Sequence, residues 1–313
     1  LIAMALVPAA CVKRGRKRRL SIAAGLTGGV YYVYGGGIAK VVSETLPGVE
    51  MTAEATSGSI DNLKFVGSGR ADVGFTMADT LDDAVRGQGA FQGDRPAKLL
   101  ALAALIDNYT HVACFADSGL RALSDLSGKV VSVGAPGSGT ETIALRILRA
   151  AGIDPDSGIR RQNLGVSASG DALKDGKLDA FFWSSGVPAG SILDLAATPG
   201  RRLLLLPSAS LLPELQRRHG ALYSQGTIPK GGYPGIDADV PVVTVKSLLA
   251  VSSEMDAELA YGLTRTLFDR KQDLVAIHPE ARHLALEQAV KGSPAPFHPG
   301  AIRYYQEKGA WPG

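Results

Sequence analysis

Short apolar runs recur along this chain, each followed by a glycine-rich turn and then by residues whose apolar positions return every three or four places. Residues 20–24 form one such run, and a helical pattern follows over 31–45, closed by Leu46-Pro47-Gly48. Residues 49–55 alternate as a strand, Ser57-Gly58-Ser59 opens a helix to about residue 66, and 71–75 is a short strand. Residues 79–86 read as helical and 99–105 as strand. This β-α-β-α-β order predicts parallel strands joined by right-handed crossovers.

The pattern then restarts. Residues 130–133 are a strand and 140–151 an amphipathic helix with Ile143, Ile147 and Leu148 on one side. Ser138 and Glu141 form an S-x-x-E capping box at its start, so Glu141 reads as a cap. Residues 171–176 end a helix, 178–183 are a strand, and Ser185-Gly186-Val187-Pro188 opens a further helix. Residues 207–241 are rich in Pro and Gly and read as irregular. The apolar runs 111–116 and 247–251 resemble each other and read as strands crossing between two lobes; from Glu254 onward the chain is mostly helical. A chain of 313 residues with 45% hydrophobic content suits two domains with real cores. The expected division is residues 1–19 as leader and basic tail, 20–112 with 246–313 as lobe 1, and 113–245 as lobe 2.

Two glycine-rich strand-to-helix loops carry the candidate chemistry. One is Gly25-Leu26-Thr27-Gly28-Gly29-Val30-Tyr31-Tyr32, the other Gly134-Ala135-Pro136-Gly137-Ser138-Gly139-Thr140-Glu141. A helix start exposes unpaired N–H groups and a partial positive charge, which attract an anion. Glycine permits close approach, and Ser or Thr adds a hydroxyl. Thr27, Gly28, Gly29, Ser57 and Ser59 from one lobe, and Ser138, Gly139 and Thr140 from the other, are therefore the expected anion contacts. Tyr31 and Trp183 are expected as pocket walls, and Asp79 either receives a ligand ammonium or caps its helix. Gly134 and Gly139 have P-loop spacing, but Thr140 stands where the lysine belongs, and the first loop lacks the dinucleotide-binding glycine order. A carboxylate needs only the donors that remain.

Charge and the rarer residues narrow the classes. The formal charge of +3 comes from Lys13, Arg14, Arg16, Lys17, Arg18 and Arg19; without these six, the 30 acids outnumber the bases. A basic nucleic-acid binder is excluded on that balance. Residues 1–10 look like the end of a signal-peptide apolar region, with Ala9 and Ala10 before Cys11, a candidate lipidation site. Cys114, in an apolar stretch, reads as a small buried hydrophobe. No G-x-S-x-G elbow occurs, and His278 and His283 lie in no H-E-x-x-H arrangement. Neither a cofactor nor a metal site is expected.

The motifs Thr27-Gly28-Gly29-Val30-Tyr31-Tyr32, Ala53-Glu54-Ala55-Thr56-Ser57-Gly58-Ser59, residues 134–141, Asp179-Ala180-Phe181-Phe182-Trp183 and the tail from Phe297 to Tyr305 resemble the TAXI class of TRAP-transporter solute-binding proteins. The resemblance runs over roughly residues 20 to 310, and it implies an α/β, two-lobed type II periplasmic-binding-protein fold with a cleft between lobes. It also implies a non-enzymatic, monomeric, periplasmic carrier that delivers a glutamate-like or dicarboxylate ligand to the membrane subunits of a TRAP permease. Thr76-Met77-Ala78-Asp79 departs from the family's usual V-Q-S-D, and Met77 in place of a glutamine opens the pocket to a less polar carboxylate. The competing class is a two-lobed enzyme or effector-sensing domain acting on a small carboxylate, because fold does not fix function. If export is right, cell fractionation will recover the protein outside the cytoplasmic membrane, free or lipid-anchored. Recovery in the cytosol with residues 1–11 intact would overturn it.

Overall fold

The computed structural model describes residues 17–94 and 98–312, so the leader and Cys11 lie outside the described residues. The first half of the chain runs β1 (Arg18–Ala23), α1 (Val30–Thr45), β2 (Val49–Glu54), α2 (Ser59–Gly67), β3 (Val73–Met77), α3 (Ala78–Arg86) and β4 (Leu99–Phe115). It continues with β5 (Val130–Ser132), α4 (Gly139–Ala150), β6 (Arg160–Gln162), α5 (Val166–Lys174), β7 (Ala180–Ser185), α6 (Gly190–Ala196), β8 (Leu203–Leu205), α7 (Leu212–His219) and β9 (Tyr223–Ile228). The last part is β10 (Val240–Ser252), α8 (Ala257–Asp269), α9 (Lys271–Ile277), α10 (Leu286–Ala289) and α11 (Pro299–Glu307).

Hydrophobic periodicity explains the helices. In α1, Val30, Tyr34, Ile38, Val41 and Val42 are buried, one stripe facing the sheet. In α4 the buried set is Ile143, Ala144, Ile147 and Leu148. The strands form one sheet in the order β2-β1-β3-β10-β4-β7-β5-β6, with β8 also on β4 and β9 also on β10. It contains two parallel nuclei, as the alternation predicts: β1 pairs in parallel with β2 and β3, and β5 with β6 and β7.

Two long antiparallel strands join the nuclei. β10 pairs with β9 from Val240 to Val245 and with β3 from Ser247 to Val251. β4 pairs with β10 between Leu99 and Tyr109, then with β7 from Tyr109 to Ala113. Here the structure corrects the sequence reading. The runs 99–105 and 111–116 are one strand, because Asp107-Asn108-Tyr109 stays in the ladder although it breaks the apolar run. The stretch 207–241 is not wholly irregular either, since it holds α7 and β9. Arg18 and Arg19, expected in the basic tail, already pair with Val49 and Glu50 in the sheet.

Asp79 is a further correction. Its side chain is fully buried within a polar cluster. Oδ2 accepts the Tyr223 hydroxyl at 2.9 Å, Oδ1 accepts the Thr80 N–H at 2.7 Å, and Arg146 Nη1 lies 3.7 Å from Oδ2. Nor is Asp79 the helix cap, since Met77 occupies that position. Arg146, 11% exposed, donates to both oxygens of Asp83 at 2.7 Å and to the Tyr223 hydroxyl at 2.9 Å. Burial pushes the Asp79 carboxyl up, and the Arg146 charge opposes that push. The cluster ties α3, α4 and β9 together. Arg146→Met leaves two buried carboxylates without their cation, so it should cost about 3–5 kcal/mol of stability in urea unfolding. A loss below about 1 kcal/mol, the value of an exposed pair, would show that the cluster is not structural.

Candidate ligand-binding site

The loops that follow the carboxyl ends of the parallel strands in both nuclei converge on one cavity of about 40 Å³. Such crevices at strand carboxyl ends are the usual ligand positions of α/β sheets. Gly25, Leu26, Gly29, Val30 and Tyr31 follow β1; Ser57, Gly58 and Ser59 follow β2; Met77 ends β3. From the other side come Ser138, Gly139 and Thr140 after β5, and Trp183, Ser184 and Ser185 of β7, with Asn108 of β4 between the two.

Three helix N-termini meet there. α1 and α2 are capped by Gly29 and Gly58, which offer no capping side chain, so their first N–H groups depend on other partners. α4 is capped by Ser138. Each terminus is worth about 0.3–1 kcal/mol to a nearby anion, and up to about 2 kcal/mol when partly buried. α3 also starts at the cavity, at Met77, but the Asp79 carboxylate already sits in its first turn.

The hydroxyls differ in what they have left to give. Ser138 Oγ donates to the Ala135 carbonyl at 2.7 Å and accepts the Glu141 N–H at 3.1 Å, so it acts as a cap, not as a ligand donor. Glu141 in turn accepts from the Gly137 N–H, Arg161 and Asn163, in keeping with a capping role. Ser59 Oγ accepts the Met77 N–H at 3.1 Å and Thr140 Oγ1 accepts the Ser184 N–H at 3.2 Å, which leaves both hydroxyl hydrogens free to donate. The Asn108 amide donates to Tyr31 and Ser247, and those two hydroxyls share one bond at 2.5 Å. Two N–H and two O–H hydrogens serve three contacts, so one hydroxyl hydrogen remains. Tyr31 lines the cavity and is kept protonated by burial. Trp183 is 8% exposed, and its indole N–H has no acceptor among the described residues.

Of the residues expected from sequence, Gly29, Tyr31, Ser57, Ser59, Ser138, Gly139, Thr140 and Trp183 are brought together at this cavity. Thr27 and Gly28 are not. Both are exposed and line a wider neighbouring depression of about 450 Å³ with Ser167, Asp171, Asp194 and His278. They miss because the loop turns back at Leu26, whose carbonyl accepts the Gly29 N–H, before α1 begins. Asn108, Ser184 and Ser185 were missed by the sequence reading, and nothing in their local pattern marks them.

The two sides also touch directly. The Ile60 and Asp61 N–H groups of α2 donate to the Gly137 carbonyl at 3.1 and 3.2 Å. Gly137 has φ +80°, and a Cβ there would lie 2.6 Å from Asp61 Oδ1, so only glycine serves at this contact. A second link runs from the Val187 N–H to Glu280 Oε1 at 3.2 Å.

A two-nucleus α/β sheet with a cavity between the halves defines the type II periplasmic-binding-protein fold. The chain belongs to the NMT1-like family, whose profile matches residues 22–309. Among solved structures, it is similar to the binding-protein component of an ABC phosphonate transporter from Pseudomonas aeruginosa. That match has TM-score 0.56 and 12% identity over 84% of this chain and 79% of that one. It is similar too to an ancestral arginine-binding protein (TM-score 0.52, 13% identity, 86% and 100% covered). The alkanesulfonate-binding protein SsuA of Xanthomonas axonopodis pv. citri gives TM-score 0.51 and 16% identity, with 94% of each chain covered.

Glu280 yields a pH prediction. Burial raises its carboxyl to about 7 from 4.5, against the Val187 N–H, which lowers it. Between these values the folded state holds a proton that the unfolded chain has released, so this group makes stability fall as pH rises through the window. His111, lowered by burial to about 4 from 6.5, acts with the opposite sign over an overlapping range. The test is therefore a difference between wild type and Glu280→Gln, which keeps the acceptor. The variant should gain on wild type by up to about 3 kcal/mol between roughly pH 4.5 and 7. A difference that stays flat across the range would refute the shift.

Proposed function

We propose that this chain is an extracytoplasmic solute-binding protein that captures a small organic anion between two lobes and presents it to the membrane subunits of a TRAP permease. The lobes are residues 20–112 with 246–313, and 113–245, and the carrier acts as a monomer. One observation carries the reading: helix N-termini from both sides of the cleft converge on a single cavity lined by hydrogen-bond donors. An anion there completes the coordination of both halves, and neither half alone supplies it.

A carrier is favoured over an enzyme because, among the described residues, no Asp, Glu, His, Lys, Arg or Cys lines the cavity. A general base or the activator of a serine nucleophile is most often one of these, and the Tyr31 hydroxyl that lines the cavity is kept protonated by burial. The choice of a TRAP permease rests on the loop motifs, whereas ABC-type binding proteins share the fold. Uptake in cells that depends on an ion gradient and survives depletion of ATP supports the TRAP assignment; the reverse pattern overturns it. No helix among the described residues is long and apolar enough to cross a membrane, in keeping with a carrier that needs separate membrane subunits.

The α2–Gly137 contact belongs to a closed state that ligand binding favours. Small-angle scattering should give a smaller radius of gyration with saturating ligand than without it. Mass spectrometry should recover the ligand chemically unchanged after release. An unchanged radius would count against closure, and a converted ligand against a carrier.

A further inference from the structure

Resting on that reading, we propose that the ligand is a small monocarboxylate: one negative charge, no ammonium group, no second carboxylate and a largely apolar remainder. The resemblance implied a glutamate-like or dicarboxylate ligand, but the lining argues otherwise. An α-ammonium group needs an acidic side chain or a cluster of carbonyls. Asp79, the acid expected for that task, is sealed in the cluster with Arg146, Tyr223 and Thr80. Among the residues lining the cavity there is no other acid to take its place.

A second carboxylate fails for the converse reason. Among the described residues no Arg, Lys or His lines the cavity, and burying a charge without a cation or a full set of donors is costly. The N-terminus of α2 has already given its Ile60 and Asp61 N–H groups to Gly137. What remains suits one compact anion: the starts of α1 and α4, and the free hydrogens of Ser59 and Thr140. The indole N–H of Trp183, buried and without a partner at the cavity wall, is an independent sign of a missing acceptor. The rest of the lining, with Leu26, Val30, Met77 and the Tyr31 and Trp183 rings, favours an uncharged, flat or branched tail. The cavity, about 40 Å³, is well below the usual ligand pocket of about 300–1,000 Å³, so it admits only a compact ligand.

Calorimetry on the full chain, stripped of endogenous ligand by partial unfolding and refolding, tests this with five acids. Isovalerate, 2-oxobutanoate and benzoate represent the proposed class, and L-glutamate and succinate the excluded one. At least one monocarboxylate should bind tenfold or more tightly than both of the others. Equal or tighter binding of L-glutamate or succinate would overturn the monocarboxylate while leaving the anion-carrier reading in place. Folded protein that binds none of the five, and releases no anion on denaturation, would remove the carrier reading itself. A second arm uses Met77→Gln, close in volume but with an amide carbonyl that can accept from an ammonium. It should shift the affinity ratio several-fold toward L-glutamate, and an unchanged ratio would count against the missing-acceptor argument.

Discussion

The proposed ligand, an anion buried without a cation beside it, would constrain how this molecule has to be built. Transfer of a charge out of water is tolerated only when hydrogen bonds replace the lost hydration. A single helix start offers a few unpaired N–H groups and a modest dipole. Enough donors are gathered only where several helix starts face one another. That in turn requires the carboxyl ends of two parallel strand nuclei to point into a common space, and β4 and β10 supply this arrangement by running through both.

Among the described residues, charged side chains are kept out of the cavity; where buried, they are paired around Arg146, or, as at Glu280, raised by burial toward the neutral form. Arg146 neutralises Asp79 and Asp83 within a tyrosine-anchored cluster, and Glu141 is held by Arg161 and Asn163 at the rim of the second loop. Cys114 is free and buried, its thiol pushed up to about 11 by burial, which fits a small core residue. Charge in this protein therefore serves to hold the lobes' elements in place. In the proposed site, recognition would fall to backbone dipoles, hydroxyls and an indole, groups whose donor capacity does not vary with pH in the ordinary range.

Much of this was legible in the sequence, for physical reasons that can be traced. The strand-helix alternation and the two glycine-rich loops announced themselves, since glycine, serine and threonine at a helix start are required by local chemistry. Local chemistry could not say which loop residues face inward. Thr27 and Gly28 turn out to solvent because the chain folds back at Leu26, and Ser138 uses its hydroxyl on its own helix. Asp79 was hidden by tertiary pairing: its partners Arg146 and Tyr223 are far away in sequence. Asn108 was hidden for the same reason, sitting in a polar interruption of β4 that looked like a break between two strands.

That interruption links recognition to motion. β10 leaves β9 after Val245 and joins β3 from Ser247, with a shift of register against β4 between Lys246 and Leu248. Asn108 lies opposite Val245 at this crossing, and Ser247 is the first residue beyond it. Both are hydrogen-bonded to the Tyr31 hydroxyl, which belongs to α1 and lines the cavity. The floor of the binding cavity and the strands that join the lobes are therefore one hydrogen-bonded unit. A ligand accepting the remaining hydroxyl hydrogen fixes the direction of the Tyr31–Ser247 bond, with Ser247 as donor and Tyr31 free to donate inward. Occupancy then orders the polar trio at the crossing itself. In the proposed carrier, the opening and closing of the lobes and the filling of the cavity would act on the same few side chains, with no longer pathway needed to couple them.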